Sequence, residues 1–285
     1  KSLVGTCSCR SSKMGNCFSH KEASTSRKTQ PPDRFFAIAD NYNSIEEVQK
    51  ALRDVGLESS NLILGIDFTK SNTWTGEKSF GGRCLHHLDA AALNPYQRVI
   101  SVVGRTLEAF DDDKLIPAYG FGDNFTTDKQ CFPFFPDKRP CQGFEEVLSR
   151  YNEITPGIVL AGPTNFGPVI REAITIVKQE NAYHILVIIA DGQVTNRKDT
   201  ENAIVEASSY ALSIIVVGVG DGPWEMMEEF DDQLPARKFD NFQFVPFEKV
   251  MSRVPPGRNP DAVFAMHALM EIPEQFKIIR KMKYL

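Results

Sequence analysis

Long apolar runs and an apolar leader are missing from this 285-residue chain. A membrane-spanning helix needs about 20 apolar residues in succession, and the longest run here, around Ile185–Ala190, has only the length of a strand. The first residues are polar and rich in serine, whereas a secretory signal has a central apolar stretch. We therefore expect neither a membrane-spanning helix nor a secreted protein.

Paired cysteines are missing as well. The chain has six cysteines and no Cys-x-x-Cys pair, and no cysteine follows position 141. A zinc ribbon or a RING finger needs several closely spaced metal ligands, so we expect neither from this set. The pattern indicates free thiols in a reducing, cytosolic compartment. The six residues are Cys7, Cys9, Cys17, Cys84, Cys131 and Cys141.

Beyond the first 33 residues, Lys and Arg are outnumbered by Asp and Glu. The net charge is −5, but residues 1–33 hold six Lys or Arg and two acids, and the remainder has a net charge of −9. An acidic body argues against nucleic acid as a partner, and a basic tail suits an anionic surface. Residues 1–33 also contain few large apolar side chains and the break Pro31–Pro32. We expect this segment to be a disordered basic tail.

What the rest of the chain does contain is a regular alternation of strand and helix patterns. Ser44 and Glu47 form a capping box before the first helix, and Asn94–Pro95 begins a long one. The apolar strand patterns carry no alternating polar residues, which is typical of parallel strands covered on both faces. The prediction is an α/β domain, a doubly wound, mostly parallel, Rossmann-like sheet. Strands are predicted at 61–67, 115–121, 184–191, 213–220 and 242–245, an edge hairpin at 78–88, and helices at 45–55, 94–110, 143–151, 166–180, 200–211, 224–230 and 260–272.

Oxygen-bearing side chains follow the predicted strands. Asp67, Thr69 and Ser71 alternate directly after the first strand, Thr164 lies in a Gly-Pro turn, and Asp191 follows the most apolar strand. Ligands of parallel sheets bind beyond the carboxyl ends of the strands. A hard divalent cation prefers oxygen ligands, so these five residues predict a site for Mg²⁺, with Mn²⁺ or Ca²⁺ as alternatives. Taken alone, Asp, Ser and Thr at such positions are also typical helix and turn caps.

The same residues carry a family resemblance. Asp67-x-Thr69-x-Ser71, with Thr164 and Asp191, resembles the metal-ion-dependent adhesion site (MIDAS) of von Willebrand factor A (vWA) domains. The wider text is similar to the copine type of that domain, and part of it is similar to the plant RING domain ligase (RGLG) branch. The copine-like segments are Leu64–Asn72, Ala118–Asp123, Val187–Gln193, Val217–Pro223 and Asp240–Phe244; the RGLG-like segments are Leu57–Asn61, Gly143–Tyr151 and Ala268–Pro273.

The resemblance implies a function as well as a fold. It implies a vWA (copine) domain over 34–277, after the tail at 1–33 and before an extension at 278–285. It also implies a metal ion that accepts a carboxylate from a protein partner, and ubiquitination substrates are candidates for that partner. In the first hypothesis the chain is this binding module of a RING-type E3 ubiquitin ligase family member. In the alternative it belongs to a functional ligase whose RING finger is absent from this sequence, and residues 1–285 alone are expected to be inactive.

A lipidation pattern lies in the basic tail. Met14–Ser19 fits the N-myristoylation motif, with Gly15 as the acceptor once translation begins at Met14, and Cys17 would be a palmitoylation site. Two acyl chains together give stable anchoring. We expect a cytoplasmic protein attached to the plasma membrane through its tail, with a nuclear pool as the alternative.

Other candidate residues favour structural roles. His86, His87 and His184 are interpreted as edge-strand and core residues rather than ligands. The spacing Gly218-x-Gly220-x-Gly222 does not fit the dinucleotide fingerprint, and no P-loop pattern occurs. Trp74 is either a packing residue or part of the rim of a binding site, because it lies close to the predicted metal loop.

Overall fold

The computed structural model describes residues 43–57, 60–107, 111, 113–192, 194–234 and 236–285. The predicted tail, with Gly15 and Cys17, lies outside the described residues, and the division into 1–33, 34–277 and 278–285 stays a prediction. The strands are β1 (Asn61–Asp67), β2 (Leu115–Ile116), β3 (Ala118–Phe121), β4 (Cys131–Pro133), β5 (Cys141–Gln142), β6 (His184–Ala190), β7 (Leu212–Gly218) and β8 (Phe242–Pro246). The helices are α1 (Ile45–Asp54), α2 (Pro95–Leu107), α3 (Gly143–Ile154), α4 (Gly167–Glu180), α5 (Arg197–Ala207), α6 (Glu225–Asp232), α7 (Phe247–Ser252), α8 (Pro260–Leu269) and α9 (Ile272–Lys281).

Six strands form the central sheet in the order β4-β3-β1-β6-β7-β8. All neighbours are parallel except β4, which pairs antiparallel with β3 at one edge. The chain moves from β1 outward to β3 and later returns to the other side of β1 with β6. The strand order therefore reverses between β1 and β6, and this topological switch point is where open α/β sheets bind ligands.

The middle of the sheet is the core of the domain. Every residue of β6 and β7 is buried, and Ile188 and Val216 pair across the two strands with no exposed surface. Each such side chain contributes about 1.5–3 kcal/mol through burial. Two sets of helices cover the sheet: α4 packs with α5, while α2 packs with α3 and α8. The predicted doubly wound, mostly parallel α/β architecture is confirmed, and no helix in the described part of the chain is long and apolar enough to cross a bilayer.

Three predicted elements differ from the structure. The strand predicted at 115–121 is split at Pro117, which has no N–H for a ladder, so that β2 pairs with β5 and β3 pairs with β1. The helix predicted at 260–272 ends at Leu269, and a further helix, α9, begins at Ile272 with Pro273 in its first turn.

The edge hairpin predicted at 78–88 is wrong, because this segment is a series of turns. Its amide groups are used locally: the Phe80 and Gly82 N–H groups both donate to the Gly76 carbonyl. The Asp221 carboxylate accepts the N–H groups of Lys78 and Ser79 at 2.7 and 2.8 Å. With these donors occupied, no ladder of strand hydrogen bonds forms.

Candidate metal centre

The loop after β1 holds three of the predicted ligands in a fixed arrangement. Asp67 is fully buried at the end of the strand, and its Oδ1 accepts the Thr69 N–H at 2.8 Å. A 3₁₀ turn follows at Lys70–Thr73, and it brings the Thr69 and Ser71 hydroxyl oxygens within 3.0 Å of each other. The alternation that the sequence displays thus places the two hydroxyls side by side, next to a buried carboxylate.

Asn72 and Tyr96 hold this turn through hydrogen bonds from the protein interior. The Asn72 side chain donates to the Thr69 carbonyl at 3.0 Å, and its own oxygen accepts the Tyr96 hydroxyl at 2.7 Å. Both residues are completely buried. A loop whose polar groups are satisfied from inside keeps its remaining hydroxyls in place for a ligand.

Asp191 comes to the same place from the end of β6. It is completely buried, and the hydroxyl of Thr75 lies 3.0 Å from its Oδ2 and 3.1 Å from the Ser71 carbonyl. Burial, and then the nearby charge of Asp191, raise the pKa of Asp67 well above its usual value. The negative charge of Asp191 is therefore near enough to disfavour ionisation of Asp67.

The chemistry of this group fits a divalent cation. The Asp67 Oδ2 is buried and has no hydrogen-bond partner. His86, which contacts the Asp67 carbonyl, supplies no positive charge, because burial lowers its pKa to about 3. No group of three or more His, Cys, Asp and Glu that could hold a metal occurs among the described residues. A metal here would therefore be held by two carboxylates together with hydroxyl oxygens.

The loop that carries Thr164 is joined to the loop of Thr69. Ala161 forms a parallel bridge with Thr69, and its carbonyl accepts the Lys70 N–H at 2.6 Å. Thr164 itself is buried three residues further along. The Thr164 carbonyl accepts the N–H groups of Thr195 and Asn196, both at 3.0 Å, just before α5. Thr164 thus lies between the loop of Thr69 and the segment that follows Asp191, and its place among the ligands stays a prediction.

Gly122 shows how closely these loops approach each other. Its φ of +83° lies in the left-handed region, and a Cβ at this position would collide with the Thr69 side chain. Only glycine can adopt this positive φ without strain and leave the space beside Thr69 free. The end of β3 is therefore shaped by its contact with the metal loop.

Two further acids, Asp123 after β3 and Asp221 after β7, also follow strands but have different partners. The Asp123 carboxylate caps its own turn by accepting the N–H groups of Phe125 and Thr126. Asp221 caps the turn at Lys78 and Ser79. Of the four acids that follow strands, Asp67 and Asp191 are the two that are completely buried.

Sequence reasoning missed three residues that shape the site: Thr75, Asn72 and His86. Thr75 follows Ser71 by four residues, a spacing that brings its hydroxyl back to the Ser71 carbonyl in a helical turn. Asn72 belongs to the quoted motif and could have been found as a turn residue. His86 contacts Asp67 from 19 residues away, and no local pattern signals that contact.

The chain is similar to plant ubiquitin ligases and to nematode copines. It is 56% identical over 257 residues to E3 ubiquitin-protein ligase RGLG1 of Arabidopsis thaliana, covering 86% of this chain and 52% of that protein. For RGLG4 of the same plant the identity is 52% over 265 residues, covering 88% and 66%. For Copine family protein 2 of Caenorhabditis elegans it is 55% over 245 residues, covering 85% and 3%. The chain therefore spans about half the length of RGLG1.

Solved structures with a similar fold include two that were determined with metals. Proximal thread matrix protein 1 from the mussel byssus, with a zinc-occupied MIDAS motif, has a TM-score of 0.47 and 13% identity over 74% of this chain and 46% of its own. The manganese-loaded TRAP protein of Plasmodium vivax has a TM-score of 0.42 and 10% identity over 70% and 73%. The metals named are those of these two proteins.

Family membership follows from the sequence similarity. The pattern of the Copine family matches residues 84–285, which is more than half of the chain. The relatives above share more than half of their aligned residues with it. The chain belongs to the copine family.

Proposed function

We propose that this copine domain is a metal-dependent protein-interaction module. The observation that carries the proposal is the buried pair Asp67 and Asp191 at the switch point of the sheet, bordered by the hydroxyls of Thr69 and Ser71. Two buried carboxylates without a cation repel each other, and a divalent ion would remove that repulsion.

Each ligand has a defined role in this proposal. Asp67 and Asp191 supply the negative charge, and Thr69, Ser71 and Thr164 supply neutral oxygens. Bound Mg²⁺, Mn²⁺ or Ca²⁺ would provide a positive centre that attracts a carboxylate of a protein partner. Thr75 and Asn72 hold Asp191 and the loop of Thr69 in place through the hydrogen bonds described above.

The relatives suggest what this module serves. The aligned plant proteins are named E3 ubiquitin-protein ligases. We therefore propose that the domain is the part of such a ligase that binds partners or substrates. The alternative is that this chain is part of a functional ligase, with ubiquitin transfer carried out by a RING finger outside residues 1–285. In both cases the metal centre binds and breaks no bond.

The first test measures metal affinity in variants with unchanged shape. Thr164→Val removes one hydroxyl and keeps the branched side chain, so we expect Mn²⁺ binding to weaken about tenfold in calorimetry, as for loss of one contributing group at a metal site. Asp221→Asn is the matched control, because it changes a strand-end acid that caps a turn, and its Mn²⁺ affinity should equal that of the wild type. Equal affinity in Thr164→Val would remove Thr164 from the ligand set.

Membrane attachment through the tail is a separate part of the proposal. In a chain that begins at Met14, we expect Gly15→Ala to abolish membrane fractionation, because myristate can no longer be attached. Cys17→Ser should leave partial attachment, since one myristoyl chain binds with a constant of only about 10⁴ M⁻¹ and basic residues add about 1 kcal/mol each. Fractionation of cells that express each variant measures this. A Gly15→Ala protein that stays on membranes would show that the motif is accidental.

A further inference from the structure

An apolar cavity shares one lining residue, His86, with the surroundings of the metal centre. It has a volume of about 300 Å³, and its lining includes Cys84, His86, Leu88, Pro156, Ile158 and Leu160. His86 is its connection to the centre, because its Nε2–H donates to the Asp67 carbonyl at 2.8 Å. Leu160 is the second connection, because the next residue, Ala161, bridges Thr69.

The segment 158–160 lines the cavity with two of its side chains and exposes the third. Ile158 and Leu160 are half-buried and line the cavity, whereas Val159 between them is 57% exposed. The Val159 carbonyl accepts the Asn124 N–H at 3.0 Å, so the backbone directly before Phe125 lies against the same segment. The Phe125 side chain is 86% exposed. We call Phe125, Ile158, Val159 and Leu160, with the cavity, the apolar ledge.

The charges around the ledge favour one kind of occupant. Within the described part of the chain, no Asp, Glu, Lys or Arg lines the cavity. His86, which lines the cavity, contacts the carbonyl of Asp67, and the buried carboxylates of Asp67 and Asp191 form the centre that would hold a cation. A partner that fits both places has a carboxylate for the cation and a large uncharged side chain beside it, since exposed apolar patches of this kind mark sites of protein interaction.

We propose that the apolar ledge binds a large apolar side chain of the same protein segment whose carboxylate binds the metal. The partner is thus a segment with an Asp or Glu and a large aliphatic or aromatic residue at a fixed spacing from it. This inference rests on the proposed function. It adds the residues that select among acidic segments, because a carboxylate alone would not distinguish one from another.

The experiment is a selection from a displayed library of random 12-residue peptides on the Mn²⁺-loaded protein, with elution by EDTA. We expect the enriched peptides to share an acidic residue and a large apolar residue at one spacing. Phe125→Ser and Ile158→Asp should each lower the affinity of an enriched peptide about tenfold or more, as expected for loss of one buried apolar contact. Leu115→Ser is the matched control: Leu115 is another exposed apolar residue, but it lines a cavity with Asn61 and His184 at the amino ends of β1 and β6.

The outcomes separate this inference from the proposed function. Peptides that bind only with Mn²⁺ and share an acid without an apolar preference would overturn the ledge and leave the metal-dependent module intact. Peptides that EDTA does not release and that bind the metal-free protein equally well would contradict both, as would an absence of enrichment. Variants that keep their Mn²⁺ affinity and thermal stability but lose the peptide support the ledge, even when only one of the two variants does so. Concentration-dependent self-association that the same variants abolish would replace the partner segment by a second copy of the chain.

Discussion

Replacing Asp67 by Asn is expected to weaken metal binding roughly 100-fold and to leave the metal-free fold at least as stable as the wild type. In the proposed site the variant removes one of the two carboxylates that hold the metal, directly or through water, which should weaken Mn²⁺ binding by roughly 100-fold, since even outer groups at metal sites contribute 10- to 100-fold. In the metal-free protein it also removes one of two buried charges that repel each other. The Oδ1 of the new amide can still accept the Thr69 N–H that Asp67 accepts now.

Thermal unfolding with and without Mn²⁺ measures both effects. At 100 times its Kd, the ion should stabilise the wild type by about 2.7 kcal/mol, which corresponds to a rise in Tm of roughly 5–10 °C for a domain of this size. The Asp67→Asn variant should rise by no more than about 1–2 °C at the same concentration, because a 100-fold weaker site leaves only about 0.4 kcal/mol, and its metal-free Tm should equal or exceed that of the wild type. Asp221→Asn should keep the full metal-induced rise, because the Asp221 carboxylate holds a turn instead. A metal-induced rise of wild-type size in Asp67→Asn would exclude Asp67 as a ligand.

The part of the site that sequence could predict is the part that is local. Asp67, Thr69 and Ser71 lie within five residues, and the strand before them is recognisable from its apolar run, so their proximity follows from local geometry. Asp191 could be added because parallel strands end at a common edge. Asp123 and Asp221 satisfied the same rule and still serve as turn caps. The rule identifies the edge of the sheet, but it does not decide which carboxylate turns inward.

The rest of the site depends on long-range packing. His86 is placed by ring contacts with residues from separate parts of the chain and lies in a segment of irregular turns, for which no periodicity exists. In the fold, too, the features with a local sequence pattern could be predicted and those fixed by long-range packing could not. The predicted strands and helices were confirmed where the apolar pattern extended over many residues. They were wrong where a proline such as Pro117 interrupted an element, or where a distant carboxylate bound the amides of a loop.

The largest expected effect on stability is that of His86→Ala. His86 is buried, its Nε2–H donates to the Asp67 carbonyl at 2.8 Å, and its Nδ1 accepts the Tyr151 hydroxyl at 2.8 Å. Its ring stacks on Tyr96 at 4.0 Å and on Phe68 at 4.6 Å. Alanine would leave a cavity between these rings and would remove two buried hydrogen bonds, leaving the Asp67 carbonyl with the Asn72 side-chain N–H at 3.4 Å and the Tyr151 hydroxyl with that of Asn94 at 3.2 Å. We expect a loss of about 3–5 kcal/mol, a large fraction of the stability of a typical domain.

Chemical denaturation of the metal-free protein checks this, with His87→Ala as the control. His87 is the exposed neighbour, and its substitution should change the free energy of unfolding by less than about 0.5 kcal/mol. His86→Phe separates the two causes, because it restores the ring between Tyr96 and Phe68 but makes neither hydrogen bond. Its stability should fall between those of the wild type and His86→Ala. A His86→Ala protein as stable as His87→Ala would show that Asp67 is held by its strand alone and that the histidine does not support the metal loop.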